Sequence, residues 1–382
     1  MPDLVDRVRA VVPLLRANAA RCTAERRVPR ENLDALRATG LFRVALPRHL
    51  GGVECDVRTK LAALVEVARG CGSTAWVSTI YLDCVFLCTK FPDEVQREVF
   101  ADPEAFHCAT LALPGRAVAV EGGYRVSGRW PFNSGCLGAT YLLHPAVVEG
   151  GEPTLFLLSA RDVTIEDDWH VSGLEGTGSN TVSAREVFVP HRHAIRSADL
   201  LDPDHRSERN AAEGYPRYPA LSYLITSAAG TFLGLAETAY ELYLERLPRR
   251  GPVAFTGYAH HRDAAITHHH VAESRLKIDA ARLLADQAAG LLDERVAADA
   301  LCDPADRSRI WGQVAYTAQL CAEAVETLRR ASGASGIATT FPLFQVARDI
   351  QALTTHATLT PPTGIEHYGR ALCGLEPSTP LL

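Results

Sequence analysis

Through residue 105 the apolar positions recur at helical spacing. Leu61, Leu64, Val65 and Ala68 fall on one face of a 3.6-residue turn, and Asn32-Leu-Asp-Ala-Leu-Arg-Ala-Thr-Gly40 closes on a glycine suited to stop a helix. From residue 107 to 190 the pattern changes to short alternating or β-branched runs at 108–113, 117–120, 124–126, 141–148, 154–158 and 182–189. Gly122-Gly123 and Gly150-Gly151 punctuate these runs as hairpin turns do. Residues 199–218, rich in Asp, Arg and Pro, read as a linker. The segments 220–247, 262–297, 304–331 and 343–358 are then long and rich in Ala and Leu, which predicts four helices packed as a bundle. The fold class that follows is mostly α with a central β domain. Its predicted parts are an N-terminal helical domain (1–105), the β domain (106–198), the linker (199–218) and a four-helix bundle (219–382).

Composition narrows the partners. The 382 residues are 47% hydrophobic and 22% charged, ordinary for a soluble globular protein. A net charge of −6 argues against nucleic acid or an anionic membrane surface as the main partner. No apolar run approaches the roughly 20 residues that span a bilayer. The charged start, Met1-Pro-Asp-Leu-Val-Asp-Arg, is unlike a signal peptide. Ten cysteines without a C-x-x-C pair read as reduced thiols of a cytoplasmic protein.

Several candidate motifs fail on physical grounds. Gly70-Cys-Gly72-Ser-Thr-Ala75 fits a dinucleotide fingerprint, but the residues before it have helical and not strand spacing, so it reads as a helix–helix turn. The histidines at 260, 261, 268, 269 and 270 are neighbours in sequence, and consecutive helical residues point about 100° apart, so no metal site is expected there. A di-iron bundle needs two Glu-x-x-His motifs; Glu104-Ala-Phe-His107 is a single one, at the entrance to the sheet. No Gly-x-Ser-x-Gly elbow offers a hydrolytic nucleophile.

The order of elements resembles the acyl-CoA dehydrogenase superfamily over nearly the whole chain. Its flavin-dependent monooxygenase branch, the oxygenase components of two-component hydroxylases, is the nearer likeness. The stretches that carry it are Leu41-Phe-Arg-Val-Ala-Leu-Pro47 with Gly51-Gly52, Gly72-Ser-Thr-Ala-Trp76, and Gly122 to Gly135 ending in Trp130-Pro-Phe-Asn-Ser-Gly135. Further along come Trp169, Gly176-Thr-Gly-Ser-Asn-Thr181 and Ala331-Ser-Gly-Ala-Ser-Gly336. The fourth bundle helix carries Arg348-Asp349 and then His356-Ala357. Dehydrogenases of the family place a catalytic glutamate where Ala357 stands, so the base for removing a carbon-bound proton is missing.

What the resemblance implies is a flavin monooxygenase. Reduced FMN, or FAD, would come from a separate NAD(P)H flavin reductase and react with O2 to a C4a-hydroperoxide, which hydroxylates an aromatic or phenolic molecule. His356, on the last helix, would accept the substrate's proton as a neutral imidazole. Ser134 would donate to the flavin near N5 or steady the peroxide. Trp130, Phe132, Asn133, Ser134, Trp169, Thr177, Gly178 and Ser179 would hold the cofactor, with a tryptophan face against the ring and the Gly-Thr-Gly-Ser turn toward a phosphate. Read without the resemblance, that turn is an ordinary β-turn and a lone tryptophan is core.

His107 and Trp76 are further candidates for the substrate wall, and Arg249, Arg250 and Arg275 for the flavin phosphate. The resemblance also implies a homotetramer. Two enzymatic alternatives stay open: N-oxygenation of an amino sugar, and an acyl-CoA dehydrogenase whose base lies elsewhere, such as Glu366. A catalytically silent bundle protein is a third.

Overall fold

The computed structural model describes residues 3–111, 115–379 and 381–382. Among these the chain opens with six helices: α1 (Leu4–Arg9), α2 (Val12–Glu25), α3 (Arg30–Ala38), α4 (Val57–Gly70), α5 (Gly72–Cys88) and α6 (Asp93–Val99). The glycine stop after α3 is present, with Gly40 at φ +86°. Cys71 alone separates α4 from α5, so the false dinucleotide fingerprint is a turn between helices.

Strands follow: β1 (Phe106–Ala109), β2 (Gly115–Val120), β3 (Gly123–Trp130), β4 (Ala139–Val148), β5 (Pro153–Ser159), β6 (Thr164–Ile165), β7 (Val182–Pro190) and β8 (Ala194–Arg196). Hydrogen bonding orders them β6-β7-β3-β2-β4-β5-β8, with β1 paired to β4. Both glycine-marked turns are hairpins, since Val120 faces Gly123 and Val147 faces Pro153. The sequence missed the short β6 and β8, and part of its run 108–113 lies outside the described residues. Ala117, Val126, Trp130, Ala146, Phe156, Leu158 and Val189 pack into the sheet's own apolar cluster.

The segment read as a linker carries two short helices, α7 (Ser197–Leu201) and α8 (Glu208–Ala212). Lys90 holds this passage down by donating to the carbonyls of Asp202, Pro203 and His205 at 3.1, 3.4 and 3.0 Å. The bundle helices α9 (Ala220–Arg246), α10 (Ala265–Ala297) and α11 (Pro304–Ala331) match the periodic segments closely.

The fourth bundle helix does not. Helix α12 (Pro342–Leu353) stops five residues before the sequence suggested, and an unforeseen α13 (Pro361–Leu372) follows. The cause is local. Thr354 and Thr355 hydroxyls bond back to the carbonyls of Gln351 and Ala352, and Pro361-Pro362 can start a helix but not continue one. His356 therefore sits in a turn between helices.

Helix α9 runs through the middle, and Gly230 and Gly234 let α4 approach it. A Cβ at Gly234 would lie 2.4 Å from the Val65 carbonyl oxygen. Between α4, α5 and α9 lies an ion pair, Lys60 Nζ to Asp83 Oδ1 at 2.8 Å, with the ammonium 3.8 Å from the Tyr223 ring centroid. Both residues are buried, and burial holds the lysine below and the aspartate above their ordinary ranges, the latter to about 6. Asp83→Ala would strand the ammonium at a cost of about 3–5 kcal/mol. Urea unfolding checks this; a loss below about 1 kcal/mol, the scale of an exposed pair, would contradict it.

Candidate active site

A left-handed loop of the sheet domain lies directly on α12. Gly173 has φ +103°, and a Cβ there would stand 2.3 Å from the Arg348 carbonyl oxygen, so only glycine permits the approach. Leu174 follows with φ +55°, and its N–H donates to Asp349 Oδ1 at 2.7 Å. Gln345 Nε2, one turn earlier, donates to the same oxygen and to Glu175 Oε2, each at 2.8 Å. Arg348 pairs with Glu175 at 2.8 Å. Burial pushes the Asp349 carboxyl up to about 7.

From Leu174 a row of hydroxyls crosses to α5. Thr177 Oγ1 donates to the Leu174 carbonyl at 2.8 Å and lies 2.6 Å from Ser179 Oγ, which lies 2.7 Å from Ser134 Oγ. Ser134 accepts from Trp76 Nε1 at 3.0 Å. All four side chains in this row are buried. The Trp76 ring meets the His356 imidazole edge to face, with centroids 5.2 Å apart. Trp76, Ser134, Ser179, Thr177 and His356 are thus joined by direct contacts. From the sequence Trp76 is a candidate for the substrate wall alone, yet it is the member that touches both Ser134 and His356.

By area His356 is exposed, while protein atoms crowd most of its ring. The crowding pushes the imidazole down to about 4, so it is neutral at neutral pH. Its Nδ1 lies 3.2 Å from Thr358 Oγ1, a partner the sequence did not single out.

The remaining candidates divide. Phe132 holds an unusual φ of +65° and is 63% exposed, its ring edge-on to the half-buried Trp169 at 6.1 Å. This pair is an open aromatic ledge. Gly178 also lies in the left-handed region, with Arg26 and Leu137 too near to admit a Cβ. Three further candidates are enclosed by the sheet domain. Trp130 has no exposed surface; it stacks on His144 at 4.4 Å and donates to the Pro145 carbonyl, because β3 turns it toward the sheet interior. Asn133 is equally enclosed and ties its loop to Trp130 and Asn180 through their carbonyls. His107 is buried between Phe100 and Tyr141, and burial holds its imidazole near 4, which makes it a core residue of the β1–β4 pair.

Among the arginines, Arg275 is held by Glu237 and Asp279, and Arg250 donates to the Ala331 carbonyl. Arg249 is exposed. No group of three His, Cys, Asp or Glu side chains among the described residues could hold a metal ion. All ten cysteines are free; Cys373 is exposed and Cys55 half-buried, the rest buried. No helix among the described residues is long and apolar enough to cross a membrane.

The raised Asp349 pKa has a stability consequence. The folded chain holds this proton more tightly than the unfolded one, in which an aspartate titrates near ~3.9. Stability then falls as pH rises from about 4 through about 7, and Asp349→Asn, which can still accept from Leu174, removes that contribution. Urea midpoints of both proteins across this range check it; parallel curves would refute the assignment.

Comparison with known proteins agrees with this architecture. Residues 3–104 match the family model "Acyl-CoA dehydrogenase, N-terminal domain", and residues 226–361 match "Acyl-CoA dehydrogenase, C-terminal domain". The oxygenase component of an FADH(2)-dependent resorcinol hydroxylase from Rhizobium sp. is 31% identical, over 98% of this chain and 95% of that one. The oxygenase subunit HsaA of a flavin-dependent monooxygenase from Rhodococcus jostii is 32% identical, over 97% and 98%. Among solved structures, XiaF from Streptomyces sp., in complex with FADH2 and glycerol, superposes with a TM-score of 0.92 at 32% identity, over 99% of this chain and 97% of that one. The chain therefore belongs to the acyl-CoA dehydrogenase superfamily, within its branch of oxygenase components of two-component flavin-dependent monooxygenases.

Proposed function

We propose that this chain hydroxylates a phenolic or related aromatic small molecule, using reduced FMN or FAD delivered by a separate NAD(P)H flavin reductase. The observation that carries the reading is the contact of a neutral imidazole, His356, with Trp76 and through it with the Ser134 hydroxyl, while Ala357 fills the dehydrogenase glutamate's position. The residues fit a flavin: Phe132 and Trp169 offer an open aromatic ledge, and Ser134 offers a fixed hydroxyl. Reduced flavin held by these residues would supply the activation of O2.

His356 orients the substrate. In the tautomer whose Nδ1–H donates to Thr358, Nε2 is the acceptor for a phenolic hydroxyl. An imidazole near 4 and a phenol near ~10 differ by about six pKa units, so outright proton transfer is uphill by roughly 8 kcal/mol. The ring therefore holds the phenolic proton in a hydrogen bond and takes it only as the carbon–oxygen bond forms and the hydroxyl becomes acidic. Glu366, the carboxylate a dehydrogenase reading would need, lies on the exposed face of α13.

A homotetramer accompanies this reading. Leu276 and Leu283 on α10 and Leu372 on α13 are 68%, 66% and 71% exposed, an apolar outer face of the kind that subunits cover.

Mixing the protein anaerobically with reduced FMN, then with oxygen and a panel of phenols, tests the reaction; turnover of amino sugars and not phenols would replace it with N-oxygenation. His356→Ala should lower hydroxylated product by about 10²- to 10⁴-fold and leave reduced-FMN affinity unchanged. Because the ring is already neutral, its titration should leave the rate flat over roughly pH 6 to 8 and reduce it only toward about 4. A rate that climbs through pH 6.5 on a group lost in the His356 variant would contradict this assignment.

A further inference from the structure

The backbone of the turn that carries His356 is tied down without help from the ring. The His356 carbonyl accepts the Leu359 and Thr360 N–H groups and the Thr360 hydroxyl, each at 2.9 Å. The imidazole can still turn about its Cβ–Cγ bond, where two orientations half a turn apart are nearly equivalent in shape. Contact with the Trp76 ring limits the tilt of the imidazole and leaves both orientations open. Thr358 separates them. Its Oγ1 lies 3.2 Å from Nδ1, and a half-turn would put the Cδ2–H there in place of a hydrogen-bonding nitrogen. Nε2 is thereby held on the edge of the ring away from Thr358.

Thr358 is in turn held from α11. Trp311 Nε1 donates to the Thr358 carbonyl at 2.8 Å, and the indole is buried, stacked on His367 of α13 at 4.6 Å. Glycines let the two helices close on it. A Cβ at Gly364 would lie 2.7 Å from Trp311 Cδ1, and one at Gly312 would lie 2.6 Å from Tyr368 Cβ. Helix α13 thus clamps the indole whose one polar atom meets the turn.

We propose that Thr358 and Trp311 are positioning residues for His356: Thr358 selects the ring orientation that offers Nε2 to the substrate, and Trp311 fixes Thr358. The inference rests on the reading of His356 as the group that orients a phenolic hydroxyl. Both residues act through the imidazole and not on the substrate. Without the Thr358 hydroxyl, Cε1–H takes the place of Nε2 in part of the molecules, and a C–H cannot accept the phenolic proton.

The test has two arms, both on the full chain. Ring-nitrogen NMR of histidine-labelled protein without flavin, with His356→Ala identifying the signal, reports the bond at Nδ1. Thr358→Val should shift the His356 Nδ1 resonance, and Thr358→Ser should leave it in place. Initial rates with reduced FMN, oxygen and phenol or resorcinol as probes report the reaction. There Thr358→Val should lower kcat by about 10- to 100-fold and change KM less, the scale of a misplaced catalytic group. Trp311→Phe should lower kcat by about 3- to 10-fold, the scale of one neutral hydrogen bond. Thr358→Ser should restore the rate. The double variant His356→Ala with Thr358→Val should be no slower than His356→Ala alone, because Thr358 acts only through the ring. An unmoved Nδ1 resonance in Thr358→Val, or losses that multiply in the double variant, would overturn the inference. His356→Ala protein as fast as wild type would instead bring down the role given to His356. Wild-type protein that hydroxylates neither probe would count against the phenol reading, and the resonance shift would then decide the inference alone.

Discussion

One carboxylate oxygen accepting one backbone N–H joins the two halves of this site. Asp349, on a bundle helix, receives the Leu174 N–H of a sheet-domain loop 175 residues away in sequence. The bond fixes Leu174, whose carbonyl ends the hydroxyl row that reaches Ser134. Asp349 also belongs to the helix that leads into the turn presenting His356. If the bond lengthened, Ser134 and His356 would lose their common frame, because nothing covalent relates them at short range.

The third support is α5. Its Trp76 donates to Ser134 and packs on His356, so a shift of that helix would move both contacts together. Helix α5 is pinned from below by the Lys60–Asp83 pair and the Tyr223 ring. A buried ion pair is a weak source of net stability, but it tolerates only one register of α4, α5 and α9. Polar groups in this core thus serve the site's geometry more than the stability of the chain.

How much was legible in advance follows from the range of the forces involved. Helices α9, α10 and α11 were readable because their apolar period is set by neighbours a few residues away. The end of α12 was misjudged because Thr354 and Thr355 compete with the helix for its own last carbonyls, a contest the apolar period does not register. Trp130 and Asn133 were assigned to the cofactor because their segment resembles one that lines flavins. Which way each side chain points depends on the strand's pleat and on His144, far along the chain. The Arg348-Asp349 pair was legible as a register mark, but its bond to Leu174 was not, since no local pattern joins positions 174 and 349.

The sequence by itself determined the order of helices, sheet and bundle, the family, and the absence of a glutamate at Ala357. Each depends on residue identity and short-range periodicity. Only the tertiary structure decided that His356 sits in a turn against Trp76 and that three hydroxyls form a single row. Which donors and acceptors end up within 3 Å of one another is a property of packing among distant segments and of no stretch taken alone.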